Sequence, residues 1–283
     1  MEAIETSATA PKVAIAVAPN GGRRTTADHP ALPVTPAELG ATAAACLEAG
    51  AAMIHLHVRD AEGGHLLDAG AYREAMAAVH AAVGDRLVVQ VTSEAVGKYG
   101  PAEQMAVIRE TRPEAVSLAL RELAPGKDDV PAFAEFLDWL SRERISPQII
   151  LYAPEDATRL AAMIERGVVP FRSIPVLYVL GRYAPGQRSR PADLLPFLAP
   201  GMPAFDHWMV CAFGPRETGC VTAAALLGGH ARVGFENNFQ LPDGRTAPDN
   251  AALVAATAEA IGAVGQATAD ADALRAAWDA CRG

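Results

Sequence analysis

The chain has no run of lysine or arginine, no Cys-x-x-Cys pair and no apolar stretch long enough to cross a membrane. Each absence removes a class of function. Lys and Arg total 24 against 33 Asp and Glu, for a formal charge of −9. Without a basic patch this excludes generic nucleic-acid binding, so any anionic ligand must be met by locally placed arginines. The 4 cysteines (Cys46, Cys211, Cys220, Cys281) are far apart. They fit a reducing cytosol and form neither a disulfide framework nor a zinc cluster. The first apolar run, Val13 to Ala18, is too short for a membrane span or a signal-peptide core, and Arg23-Arg24 follows it where a twin-arginine signal would precede it. The expectation is a cytoplasmic protein with no membrane partner. No Gly-x-Gly-x-x-Gly and no phosphate-cradling P-loop occurs; the first turn reads Asn20-Gly21-Gly22-Arg23.

What is present is a regular alternation. The 283 residues are 51% hydrophobic, ample for a large core, and no linker or low-complexity segment divides them. Eight short apolar, β-branched runs stand out: Val13 to Ala18, Met53 to Val58, Leu87 to Thr92, Ala115 to Leu120, Gln148 to Tyr152, Ile174 to Leu180, Trp208 to Ala212 and Ala231 to Glu236. Alanine-rich helical segments separate them, among them Tyr72 to Val83, Ala102 to Thr111, Val130 to Arg142, Asp156 to Arg166, Ala192 to Phe197, Thr218 to Leu227 and Asn250 to Val264, with Ala271 to Ala280 last. Thr35-Pro36-Ala37-Glu38 supplies a cap, a first-turn proline and a capping-box acid for the helix that Gly50 closes. The pattern predicts a single (β/α)₈ TIM barrel over residues 1–283. A doubly wound open sheet is the competitor, but it usually has fewer strands and a Gly-rich first turn.

In such a barrel the active site collects at the C-terminal strand ends. The second run ends in Ile54-His55-Leu56-His57-Val58. Residues two apart on a strand share a face, so both imidazoles point together, as a two-ligand metal clamp or as two histidines with ordinary hydrogen bonds. The eighth run ends in Arg232-Val233-Gly234-Phe235-Glu236-Asn237. Only the first strand separates it from the second, so Glu236 can lean across as a third ligand, giving His₂Glu with an open position; its alternative is an ion pair with Arg232. Thr92, Ser93 and Glu94 end the third strand, Ser117 lies on the fourth before Arg121-Glu122, and Tyr152, a substrate-facing or rim residue, ends the fifth.

The segments Ile54-His55-Leu56-His57-Val58-Arg59, Gly228-Gly229-His230-Ala231-Arg232-Val233-Gly234-Phe235-Glu236-Asn237 and His29-Pro30-Ala31-Leu32-Pro33-Val34-Thr35-Pro36 resemble the beta-keto acid cleavage enzymes, from Lys12 almost to the C-terminus. The resemblance implies a zinc-dependent barrel, commonly a homotetramer, that converts a β-keto acid plus acetyl-CoA into acetoacetate plus a new acyl-CoA. It implies that His55, His57 and Glu236 hold one zinc ion, that Thr92 and Ser117 bind substrate, and that Arg232 partners the catalytic base.

Three departures reshape that expectation. Asn237 stands where the family has the aspartate that serves as base, and a neutral amide cannot take a proton at neutral pH. Arg23 and Ile150 stand where the founding activity, 3-keto-5-aminohexanoate cleavage, uses two glutamates for the substrate ammonium. Thr92-Ser93-Glu94 stands where the family shows small residues after Ser-Thr. We therefore expect a neutral or anionic β-keto acid, contacted by Arg23, Arg121, Tyr152 and Asn237. Glu94 is expected as general base; its alternatives are a rim acid paired with Arg59 or Arg121, or a helix cap. The loop Arg182 to Arg190 is the densest basic segment on the predicted active face, and Arg188 and Arg190 are expected to hold acetyl-CoA unless that loop is simply solvated. Two other readings stay open. One is a hydrolase of the amidohydrolase type, which places its His-x-His on the first strand and adds histidines from the fifth and sixth; here those strands end in Tyr152 and Leu180. The other is a metal-binding barrel that has lost catalysis through Asn237.

Overall fold

A computed structural model describes residues 12–282; the remainder of the expected 1–283 domain lies outside the described residues. Eight parallel strands close into a barrel: β1 (Ile15–Val17), β2 (Met53–Leu56), β3 (Val88–Thr92), β4 (Ala115–Ala119), β5 (Ser146–Leu151), β6 (Val176–Leu180), β7 (Trp208–Ala212) and β8 (His230–Val233). Each pairs with its neighbour in the chain, and β1 closes the ring between β2 and β8, with Ala16 opposite both Met53 and Arg232. The strand that bears His55 and runs on to His57, and the strand leading to Glu236, thus reach the same rim.

The strands are apolar on both faces because each face meets a different layer. Ile15, Val17, Ile54, Val89 and Val91 pack outward with helix residues such as Leu39, Tyr72 and Val79. Ala14, Ala16, Met53, Val88, Leu177 and Met209 alternate with them and fill the barrel, joined from below by Leu274 and Trp278. The outer ring is α1 (Pro36–Glu48), α2 (Ala69–Val83), α3 (Pro101–Thr111), α4 (Val130–Arg142), α5 (Pro154–Glu165), α6 (Glu217–Leu226) and α7 (Asn250–Ala263); α8 (Ala271–Arg282) lies under the barrel floor. The expected capping box is present, with Thr35 Oγ1 accepting from Glu38 N and Glu38 accepting from Thr35 N.

Three elements differ from the sequence reading. Pro191–Phe197, expected as an α-helix, is a 3₁₀-helix; Pro196 inside it lacks the N–H an α-turn would use. Strand β2 stops at Leu56, and the polar turn beyond it is a small antiparallel hairpin pairing Val58–Arg59 with His65–Leu66. A one-turn helix, Leu120–Leu123, directly follows β4. Among the described residues, no helix is long and apolar enough to cross a membrane.

Candidate active site

His55 lies in register with Gln90 on β3, and Gln90 Oε1 sits 2.7 Å from His55 Nδ1. Gln90 Nε2 in turn donates to Gln148 Oε1 at 3.2 Å, which fixes the amide and makes Oε1 the acceptor. His55 Nδ1 therefore carries the proton and Nε2 presents its lone pair. That nitrogen faces His57 Nε2 at 3.2 Å and Glu236 Oε2 at 3.8 Å, while His57 Nε2 lies 3.3 Å from the same oxygen. Tetrahedral coordination with bonds of about 2.0–2.2 Å places neighbouring ligand atoms roughly 3.3–3.6 Å apart. The three atoms fit such a site, and Glu236 Oε2 is buried with no hydrogen-bond partner. Burial and the nearby Arg232 lower the His55 pKa well below its usual value, leaving a neutral imidazole fit to ligate.

The other carboxylate oxygen of Glu236 accepts from Arg232 Nη2 at 2.8 Å. The ion pair with Arg232 therefore uses one oxygen of Glu236 and leaves the other, Oε2, facing the two imidazoles. Burial disfavours the charge, but Arg232 and the histidines outweigh it and hold the carboxyl well below its usual range. Two glycines allow the approach. A Cβ on Gly21, whose φ is +61°, would lie 2.5 Å from Glu236 Cγ, and one on Gly234 would lie 2.5 Å from the Ala18 carbonyl of the β1 end. Arg59 clamps the loop after β1 by donating to the carbonyls of Asn20, Gly21 and Arg24.

Asn237 is fully buried between Arg232 and Glu217. Arg232 Nη2 lies 3.5 Å from its Oδ1, and its Nδ2 donates to Glu217 Oε1 at 3.2 Å. Glu217 opens α6 and also accepts from Gly234 N and Asn238 Nδ2 at 3.2 and 3.4 Å. Burial raises its pKa to about 8 against those hydrogen bonds. This carboxyl was not singled out from the sequence, where the helix was expected to begin one residue later, at Thr218. An acid in the first turn of the next helix was the available signal.

Glu94 lines the cleft over the three converging atoms, with Thr92, Ile150, Tyr152 and Arg232. Its Oε2 is 3.8 Å from His57 Nδ1, which is buried and unpartnered. It pairs with neither Arg59 nor Arg121 among the described residues, and it caps no helix: Gly100 precedes α3. Glu122 is held instead by Ala95 N and Gln104 Nε2. Thr92 Oγ1 accepts from Glu94 N at 3.0 Å. Ser117 is buried beside it on β4, its hydroxyl unpartnered.

The arginines divide. Arg23 borders the outer part of the cleft with Arg24 and Arg182, two residues the sequence reading did not single out. Arg121 is not brought there: its guanidinium bonds Asp156 Oδ2 at 2.7 Å and stacks 4.4 Å from the Tyr152 ring centroid. Arg188 is exposed in the loop after β6, and Arg190 pairs with Asp193 at 3.4 Å. Gln187, not either arginine, reaches the cleft.

A family model described as beta-keto acid cleavage enzyme matches residues 12–279. Among curated relatives, the 3-keto-5-aminohexanoate cleavage enzyme of Fusobacterium nucleatum is 27% identical over 248 residues, 86% of this chain and 89% of the relative. The 3-oxoadipate:acetyl-CoA acetyltransferase of Cupriavidus necator is 28% identical over 262 residues, 86% of each chain. Among solved structures, a ternary complex of ObcA with C4-CoA adduct and oxalate superposes with a TM-score of 0.69 at 17% identity, covering 88% of this chain and 68% of the other. That likeness shows the barrel fold alone.

Proposed function

This chain belongs to the beta-keto acid cleavage enzyme family and is a carbon–carbon bond-cleaving acyltransferase, and on that premise we propose that it exchanges acyl groups between a neutral or anionic β-keto acid and acetyl-CoA. The observation that carries the reading is the convergence of His55 Nε2, His57 Nε2 and Glu236 Oε2 at the barrel mouth. Zinc held by those atoms would supply a Lewis acid that acidifies the carbon between the keto and carboxylate groups of the substrate.

The chain's own residues do the rest. Glu94, at the edge of the cleft, takes a proton from that carbon. Arg232 holds Glu236 and lines the cleft where it meets the substrate's developing negative charge; Asn237, which cannot accept the proton, lies fully buried behind Arg232. Thr92 and Ser117 offer hydroxyls, and Tyr152 with Ile150 closes the far wall. The carbanion so formed attacks the thioester carbonyl of acetyl-CoA, and CoA leaves as thiolate. The thiolate then attacks the keto carbonyl of the original acid. The bond to the old α-carbon breaks, the protonated Glu94 returns its proton to that carbon, and acetoacetate and the new acyl-CoA are released. We place CoA along the loop after β6 and assign the chain to the cytoplasm as a homo-oligomer, a tetramer by its family.

Two outcomes follow. An ammonium beside Arg23 meets its like charge, and neither Arg23 nor Ile150 supplies a carboxylate of its own to receive it. Neutral and anionic β-keto acids should therefore exceed 3-keto-5-aminohexanoate in kcat/KM, by roughly tenfold or more if one ion contact worth about 1.4 kcal/mol is lost. Preference for the amino acid over an uncharged analogue of equal length contradicts this. Separately, Arg188→Gln with Arg190→Gln should raise the KM for acetyl-CoA more than that for the keto acid; unchanged acetyl-CoA kinetics move the nucleotide elsewhere.

A further inference from the structure

The opposite end of the barrel holds a second recess, with about 640 Å3 of free volume, within the range of small-molecule sites. It opens between the strand starts and α8. Ala14, Ala269, Leu274 and Ala277 give it an apolar wall, Lys12 stands at its edge, and among the described residues no acidic residue lines it. Two imidazoles interrupt that wall. His207, just before β7, and His230, the first residue of β8, stack with ring centroids 4.2 Å apart and an interplanar angle of 19°.

Their hydrogen bonds fix their tautomers. Trp278 Nε1, which can only donate, lies 3.2 Å from His207 Nδ1, and the Ala14 amide donates to His230 Nδ1 at 3.0 Å. In both neutral rings the proton must then be on Nε2. Burial keeps the rings neutral, lowering His230 to about 4 and His207 well below its usual value. His207 is 4% exposed, and its buried Nε2 has no partner among the described residues. An N–H left unmatched beside a cavity is a donor awaiting an acceptor. The recess is thus lined by two imidazoles that each carry an Nε2–H, by a lysine, and by alanine and leucine side chains.

We propose that this recess is a second binding site, separate from the barrel mouth, for a small alkyl carboxylate: its hydrocarbon chain lies against the alanines of α8 and its carboxylate accepts from His207 Nε2 and His230 Nε2 near Lys12. The site stands independently of the reaction at the other rim.

Titration calorimetry with hexanoate at pH 7 tests it, using hexylamine as the probe of opposite charge. One hexanoate should bind per chain in the wild type and equally in His55→Ala/His57→Ala, which disables the mouth. Ala273→Phe, at an exposed α8 position lining the recess, should weaken hexanoate at least tenfold while leaving the melting temperature and the acyl-exchange rate unchanged. If Ala273→Phe is destabilised, Ala277→Met gives a second, milder obstruction with the same expected loss. Hexylamine should not bind. The proposal is overturned by absent hexanoate binding, by binding indifferent to both obstructions, by binding lost with the mouth histidines, or by equal binding of hexylamine. Binding that appears only in a chain lacking residues 1–11 also overturns it, because the recess then belongs to the chain's own N-terminus.

Discussion

A protein with alanine at both His55 and His57 is expected to purify with far less than one equivalent of metal and to lose acyl exchange. Two of the three converging atoms disappear, and Glu236 alone, already bonded through its other oxygen to Arg232, is a poor chelate. The supporting contact should matter too. Gln90 fixes the His55 ring through its 2.7 Å contact, so Gln90→Leu should weaken metal affinity by roughly 10–100-fold without abolishing it, the usual effect of removing such a partner. Elemental analysis and competition with a chromogenic chelator measure both. Stoichiometric metal in the double variant removes the site.

The second large effect is expected at Glu94. The change Glu94→Gln keeps shape and an acceptor oxygen but removes basicity. If Glu94 takes the substrate proton, kcat should fall by roughly two to four orders of magnitude with metal content intact. The position 3.8 Å from His57 Nδ1 gives the same residue a competing role, orienting His57 as a hydrogen-bond acceptor. In that role glutamine suffices, and kcat should hardly move. Rates near wild type therefore reassign Glu94 to positioning. A rate increase in Asn237→Asp would show that the family's base position still reaches the substrate, despite Glu217 at 3.2 Å from the Asn237 amide.

The barrel was legible because parallel strands sheathed by helices must be apolar on both faces, and such runs recur at even spacing through this chain. The convergence of His55, His57 and Glu236 was legible for a related reason: strand period and ring closure bring them to one rim. Less legible were features set by side-chain reach. Arg121 looked available, yet Asp156, 35 residues on, captures it. Glu217 was hidden because the first turn of α6 folds back under the Gly234–Asn238 turn, a contact no periodicity encodes. His207 and His230 were unread as a pair because nothing in the spacing of residues 23 apart announces a stacked contact. The 3₁₀ geometry at Pro191–Phe197 was foreshadowed by Pro196, a signal weaker than the surrounding apolar pattern.

The central claim is acyl exchange, and one measurement addresses it directly. Purified zinc-loaded protein is incubated with acetyl-CoA and a panel of neutral and anionic β-keto acids, and products are followed by mass spectrometry. The account predicts that acetoacetate and a new acyl-CoA, carrying the acid's own tail, appear together in equal amounts and only when acetyl-CoA is present. Cleavage of the keto acid without acetyl-CoA, or release of free CoA with no new thioester, would contradict it and favour a hydrolase.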